Sequence, residues 1–278
     1  MQALSERLDA RLAGSLLERI EVLGFSALKT VTPSPEDVTG KVLREVRRRG
    51  KFLVLGLDGG ERILVHLSQG GRIDVEEPPK STRPRGCVVR FGFAAHDPGG
   101  GPVSILVKEF GKERKAAWWV MTPGDDGPLG KLGPEVDDPA FDELILHSED
   151  RRRVHTLLRD QRTVAGIGRG YSDDAMHEAR LSPFATLPSL GQEERKNLLA
   201  AIRSVLASAL EGERERSGGL PPKLGDRFRV HGRHGTPCPR CSTRLERVSY
   251  EAYEITYCPA CQTGGKVLAD RRLSRLLR

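Results

Sequence analysis

The sequence has no apolar run near the roughly eighteen residues that a membrane-spanning helix needs, which excludes a helical transmembrane class. Its first residues, Met1 to Arg11, lack the apolar core of a secretory signal, so the expected location is the cytoplasm, with no membrane partner. Cysteine is scarce, five in 278 residues, and in a reducing compartment that argues against a disulfide framework. The glycine run Ala165-Gly166-Ile167-Gly168-Arg169-Gly170 follows no strand, which argues against a dinucleotide-binding fold. What is present, 37% apolar and 30% charged residues, is the composition of a globular chain long enough for two domains.

The charge of +7 is unevenly placed. Residues 217–278 hold twelve Lys/Arg against five acids, while the first 216 residues balance. A basic module on a neutral body suits a polyanion, because cationic side chains displace condensed counterions from a phosphate backbone. A solvated basic tail would give the same count.

Four of the cysteines, Cys238, Cys241, Cys258 and Cys261, form two CxxC pairs sixteen residues apart. Two such knuckles bring four thiolates onto one Zn²⁺, and the closed tetrahedral set makes the metal structural rather than catalytic. Redox exchange is the other use of paired CxxC motifs. Between the knuckles, Thr243 to Tyr250 and Ala252 to Tyr257 alternate as strands do, predicting a hairpin. The fifth cysteine, Cys87, lies in the apolar run 87–93 and is expected to be a small core residue.

Strand-like runs between Gly, Pro and Asp turns cover Leu17 to Leu23, Lys41 to Val46, Phe52 to Leu57, Arg62 to Leu67, Cys87 to Phe93 and Val103 to Val107, behind an initial helix from Ala3 to Leu12. They predict an antiparallel sandwich or barrel. After Pro139 the period becomes helical: Phe141 to His147, Arg151 to Arg159, Ser172 to Arg180 and Gln192 to Glu211. Residues 213–236, rich in Gly, Pro and charge, read as a flexible connector. The class is therefore α+β.

In this order the elements resemble the formamidopyrimidine-DNA glycosylase / endonuclease VIII family of base-excision repair enzymes. Arg47 through Leu55 followed by Leu64-Val65-His66-Leu67 is similar to the family's N-terminal sandwich. Asp160-Gln161 through Gly166-Ile167-Gly168, Tyr171 and Asp174-Ala175 is similar to its helix-two-turns-helix element. Val230-His231-Gly232-Arg233 through Cys238, with Tyr257-Cys258-Pro259-Ala260-Cys261-Gln262, is similar to its zinc finger. The resemblance implies an N-terminal β-sandwich at 1–125, a helix-two-turns-helix domain at 126–215, and a connector with the finger at 216–278.

It further implies a monomeric clamp at the nucleoid that flips a damaged base from duplex DNA and attacks C1′ of the sugar with an amine, giving glycosylase and AP-lyase activity. The partners are then lesion-containing or abasic duplexes, and the cofactor is one structural Zn²⁺. The DNA-binding residues it implies are Lys51, His66, Phe110, Gly168, Arg169 and Arg233. The family's nucleophilic proline and following glutamate do not occur in Met1-Gln2-Ala3-Leu4, which leaves Lys51 as the candidate catalytic amine. Met1 is expected to occupy the family's valine position, with six residues before it lost to a misplaced gene start; upstream codons without a Pro-Glu pair would sink that expectation.

Other departures are Gln69 where the family fills the gap left by the flipped base with methionine, and Phe110 kept in Lys108-Glu109-Phe110-Gly111 without the flanking arginines. Arg169 stands in the place of a phosphate-binding asparagine, and Tyr253, Glu254 and Ile255 fall where the finger's minor-groove arginine is expected. A non-catalytic, zinc-dependent binder of damaged DNA is the alternative, and a zinc ribbon acting on RNA a third.

Overall fold

A computed structural model describes residues 1–95, 100–110, 113–216, 227–249 and 253–269. The chain divides into two compact units, the first spanning residues 1–130 and 216–220, the second 131–215 and 221–278.

Unit one begins with helix α1, Gln2–Leu12, which buries Ala3, Ser5, Leu8 and Leu12 at helical spacing. Eight strands follow: β1 Leu17–Val22, β2 Leu43–Arg49, β3 Phe52–Leu57, β4 Arg62–His66, β5 Gly71–Glu76, β6 Cys87–Phe93, β7 Val103–Glu109 and β8 Ala117–Met121. They form two antiparallel four-stranded sheets, in the orders β2-β3-β4-β8 and β1-β6-β7-β5. One core cluster draws Leu53, Leu55, Val65 and Trp118 from the first sheet and Val89, Phe91, Ile105 and Val107 from the second. Phe91 meets Trp118 edge to face at 5.6 Å across that core. The sandwich expected from the turn pattern is therefore present.

Two of its strands were not legible. In β5, Gly71-Arg72-Ile73-Asp74-Val75-Glu76, Val75 is half exposed and the buried Glu76 breaks the apolar alternation. Glu76 is tolerated there because Arg90, 2% exposed, donates to it from Nε at 2.9 Å while Ser104 Oγ donates at 2.7 Å. Burial, which pushes the Glu76 carboxyl up, is outweighed by these partners, and the group lies below its ordinary range. The other, β8, is a short continuous apolar run, which periodicity alone cannot assign. Cys87 is half-buried at the end of β6 rather than in the core, its thiol donating to the Pro84 carbonyl at 2.7 Å; burial pushes that thiol up.

Unit two contains α2 Pro139–His147, α3 Val154–Arg159, α4 Arg169–Glu178 and α5 Gln192–Glu215, then the hairpin β9 Glu246–Ser249 and β10 Glu254–Tyr257, and the short helix α6 Pro259–Thr263. Asp138 caps α2 by accepting from the Ala140 N–H, with Pro139 at the first helical position. Along α5, Leu198, Ala201 and Ile202 turn one stripe into a core shared with Phe141, Leu157, Leu158 and Met176. The hairpin pairs Glu254 with Ser249 through Tyr257 with Glu246. Strands expected over 243–250 and 252–257 are found at 246–249 and 254–257 among the described residues, and residues 250–252 lie outside them.

Among the described residues no helix is long and apolar enough to cross a membrane. Residues 213–215 continue α5, residues 228–231 are held against α4, and Gly235 and Thr236 bond to Leu245, so this part of the expected connector is ordered. Residues 217–226 of the expected connector lie outside the described residues.

Removing Arg90 would strand a buried carboxylate. Arg90→Ala is expected to cost unit one about 3–5 kcal/mol, read as a lower denaturant midpoint of tryptophan fluorescence. Both tryptophans, Trp118 and Trp119, lie in β8 and report that unit alone.

Candidate nucleic-acid interface and metal centre

In unit one the turn from β2 to β3 carries Gly50, with φ 57, and Lys51. Phe52 pairs with His66 across β3 and β4, and its ring lies 4.8 Å from the imidazole and 5.6 Å from Trp119. Burial first, and then the positive charge of Lys51, hold His66 below the ordinary histidine range, so its ring is neutral at pH 7. The first turn of α1 reaches the same hairpin, where Arg48 Nε donates to Gln2 Oε1 at 3.0 Å.

Past His66 the chain turns tightly. The Gly71 N–H donates to the Leu67 carbonyl at 2.8 Å, and a Cβ on Gly71 would meet that oxygen at 2.2 Å, so only glycine fits. This turn projects Gln69 to solvent. The Phe110 N–H donates to the Gly70 carbonyl at 3.1 Å, which brings Phe110 beside the turn of Gln69. Phe110 is 67% exposed, a costly posture for a phenyl ring, with Lys108 Nζ 5.4 Å from its centroid. Below it Glu109 accepts from the Lys115 and Ala116 N–H groups, closing the base of the loop. Lys51, His66, Gln69 and Phe110 thus lie along one connected edge of strand ends and turns.

In unit two Gln161 holds the glycine run. Its Oε1 accepts from the Gly166 N–H at 3.0 Å and its Nε2 donates to the Ile167 carbonyl at 2.7 Å. Gly166, at φ 92, supplies the left-handed turn. Gly168 then begins α4 without a side-chain cap and with no acid in the first turn, so the first N–H groups of a ten-residue helix form a positive end beside Arg169. A Cβ on Gly170 would lie 2.4 Å from the Phe228 ring, so the small residue admits the returning chain.

That chain is fixed by two adjacent buried carboxylates of α4. Asp174 accepts from three backbone N–H groups, Arg229 at 2.8 Å, Val230 at 2.9 Å and His231 at 3.2 Å. Burial pushes its carboxyl up, and these donors offset that only in part. Asp173 accepts from His231 Nδ1 at 2.7 Å and from the Thr256 N–H at 3.0 Å, and lies 2.9 Å from His155 Nε2. One residue pair therefore joins α3, α4, the segment before the knuckles and strand β10. No sequence signal could have linked residues 58 or 83 positions apart. Arg233, by contrast, is exposed, and its guanidinium reaches back to the Arg229 carbonyl at 3.5 Å.

The four cysteines converge with ligand sulfurs within 4.8 Å of one another. Cys241 lies 3.4 Å from both Cys258 and Cys261, and Cys238 lies 4.0 Å from Cys261. Tetrahedral Zn–S bonds of about 2.3 Å imply S···S separations of about 3.8 Å, which these distances bracket. Hydrogen bonds from Thr243 hold Cys241 down at about 6, while burial pushes Cys258 up to about 12. A bound divalent charge favours the thiolate state of every cysteine that ligates it. The donor set fits one structural Zn²⁺. Gln262 fastens the site to unit two, donating to the Leu181 carbonyl at 2.8 Å while its Oε1 accepts from the Cys258 N–H. Burial pushes His177, beside Cys238, down to about 4.

Tyr253 directly precedes β10. It stacks on His155 at 5.9 Å, and the Arg159 guanidinium sits 3.7 Å from its ring centroid. The Arg159 guanidinium of α3 therefore reaches this hairpin in addition to the finger's own Arg247. Glu254 pairs with Arg247 at 3.1 Å, and Ile255 is buried.

Residues 1–99 match the formamidopyrimidine-DNA glycosylase N-terminal domain, and residues 132–218 the formamidopyrimidine-DNA glycosylase H2TH domain. A formamidopyrimidine-DNA glycosylase of Thermus thermophilus is 35% identical over 242 residues, covering 81% of this chain and 84% of the relative. An uncharacterized formamidopyrimidine-DNA glycosylase-like protein of Mycobacterium tuberculosis is 42% identical over 151 residues, 53% of this chain and 94% of the relative. Among solved structures, the MutM (Fpg) protein of Thermus thermophilus superposes with a TM-score of 0.78 at 29% identity, covering 95% of this chain and 97% of that one.

Two outcomes follow from this geometry. Asp174→Ala leaves three backbone donors of the 229–231 segment without their acceptor and is expected to destabilise unit two by more than about 2 kcal/mol. Amide exchange in β9 and β10 should rise while the tryptophan midpoint of unit one stays put. His66, with its folded pKa below the unfolded one, favours the native state above the ordinary histidine range and loses that contribution as pH falls through its lowered value. The urea midpoint of unit one should drop between pH 7.5 and 5, and His66→Phe should flatten that part of the drop.

Proposed function

The chain belongs to the formamidopyrimidine-DNA glycosylase family, and from that membership we propose that it is a base-excision repair DNA glycosylase with AP-lyase chemistry, working as a monomer on damaged duplex DNA at the nucleoid. Support comes chiefly from α4. Its N-terminal end joins the glycine turn held by Gln161, and its carboxylates fix the segment leading into the four-cysteine site. Phosphate binding and the finger are thus parts of one rigid element.

The roles follow from chemistry. The N–H groups of Gly168 and its successors, with the Arg169 guanidinium, receive a backbone phosphate. Arg233 and the basic residues of the finger add counterion release, which positions the protein without reading sequence. Phe110 and Gln69 enter the stack where the lesion base leaves it, the exposed ring gaining from base contact what it lacks in water. Zinc, when bound by Cys238, Cys241, Cys258 and Cys261, supplies folding energy to a hairpin too small for its own core.

For the covalent step, the unprotonated Lys51 amine attacks C1′ and the C1′–N bond to the damaged base breaks, the base leaving with a proton. Ring opening of the sugar gives a Schiff base on Lys51, and loss of a C2′ proton expels the 3′ phosphate. His66, neutral and near Lys51, is available as the proton acceptor. Lys51 is named over the other lysines of unit one for the family-like hairpin that carries it, and the nearby His66 adds to that choice.

The test is borohydride trapping on a duplex with one abasic site, using the 278-residue chain. A covalent adduct that survives in wild type and is lost in Lys51→Ala supports the assignment. An adduct retained in Lys51→Ala assigns another amine. Tight binding with no adduct supports a non-catalytic binder of damaged DNA instead.

A further inference from the structure

His177 occupies the last turn of α4, where its neighbours Ala175 and Met176 are buried apolar residues. It is itself 2% exposed, so the imidazole has left water and is costly there unless it is partnered. The partner is sulfur: Nε2 lies 3.2 Å from Sγ of Cys238, which is also 2% exposed. The other ring nitrogen, Nδ1, has no hydrogen-bond partner. A thiolate is an acceptor only, so the nitrogen facing it carries the proton, and a neutral ring with the proton on Nε2 and a bare Nδ1 satisfies the pair.

The surroundings reinforce that direction. The Arg240 N–H lies 3.4 Å from the same sulfur, and the Arg240 guanidinium donates to the His177 carbonyl at 2.8 Å and to Glu178 Oε2 at 2.9 Å. The knuckle is thereby clasped to the end of α4 by backbone and side chain together. Four thiolates around one dication carry net negative charge, and N–H donors that draw density from a ligand sulfur make it a poorer nucleophile and a better anchored ligand.

We infer that His177 is a positioning residue of the zinc site, its Nε2–H donating to the metal-bound Cys238 thiolate, so that the phosphate-binding helix grips the metal at its far end and slows the loss of zinc. The inference rests on the zinc reading, and the two fail separately. A wild-type chain purified without stoichiometric zinc would sink the zinc reading itself.

With zinc present, the decisive measurement on wild type is proton–cadmium correlation spectroscopy of the ¹¹³Cd-substituted full chain. A cross-peak between the His177 ring N–H and the metal, transmitted through the sulfur, is expected; an Nδ1-protonated ring with no such peak overturns the proposal. His177→Phe, which fills the volume without a donor, is expected to hand zinc to a chelating dye about 10-fold faster, as loss of an outer-shell partner does. In the cobalt-substituted protein the thiolate-to-metal charge-transfer band should move to longer wavelength. His177→Gln, whose amide can donate, should restore both toward wild type. Equal rates and bands in wild type and His177→Phe, or equal effects of the two variants, would make His177 a packing residue only. Should neither variant fold, the cadmium experiment on wild type still decides.

Discussion

Two neighbouring carboxylates on one helix, Asp173 and Asp174, hold unit two together. Their side chains point into a space that apolar residues would otherwise fill, and they are 0% and 2% exposed. Between them they accept four backbone N–H groups and one imidazole from the 229–231 segment and from strand β10. A stretch that composition marks as a linker is thus ordered where it passes α4. The cost of burying two adjacent charges is offset by donors that would themselves be unsatisfied without them.

That constraint explains how the zinc finger contributes to a surface. A four-thiolate hairpin alone is a small domain with a fixed fold but no fixed orientation. Here His231, Thr256, Gln262 and Arg240 each bond to α4 or to the residues just after it. The glycine turn at the other end of the same helix is held by Gln161. The four-cysteine site and the glycine turn are joined through ten residues of helix, a short and stiff connection.

In unit one the same economy appears at strand ends. A pleated sandwich orients its interior for packing, so the residues proposed for DNA contact and chemistry lie at the turns: Lys51 between β2 and β3, His66 at the end of β4, Gln69 in the turn after it, and Phe110 just past β7. The hydrogen bond from the Phe110 N–H to the Gly70 carbonyl brings together two turns that lie about forty residues apart in sequence. Catalytic and binding groups on loops above a rigid scaffold are the common arrangement for this reason.

The sequence by itself determined the elements whose cause is local. The CxxC spacing specified the metal, strand runs such as 52–57 and 87–93 matched residue for residue, and the helical period located α2 to α5 within a few residues. It did not determine β5, where a buried Glu76 breaks the pattern and is explained only by Arg90 from another strand. Nor could it show that Arg159 covers Tyr253, that Asp173 meets His231, or that His177 faces Cys238. Periodicity and spacing report forces between near neighbours in the chain. Pairings of buried polar groups across tens of residues are decided by which partner the folded backbone delivers, and that is a property of the tertiary structure alone.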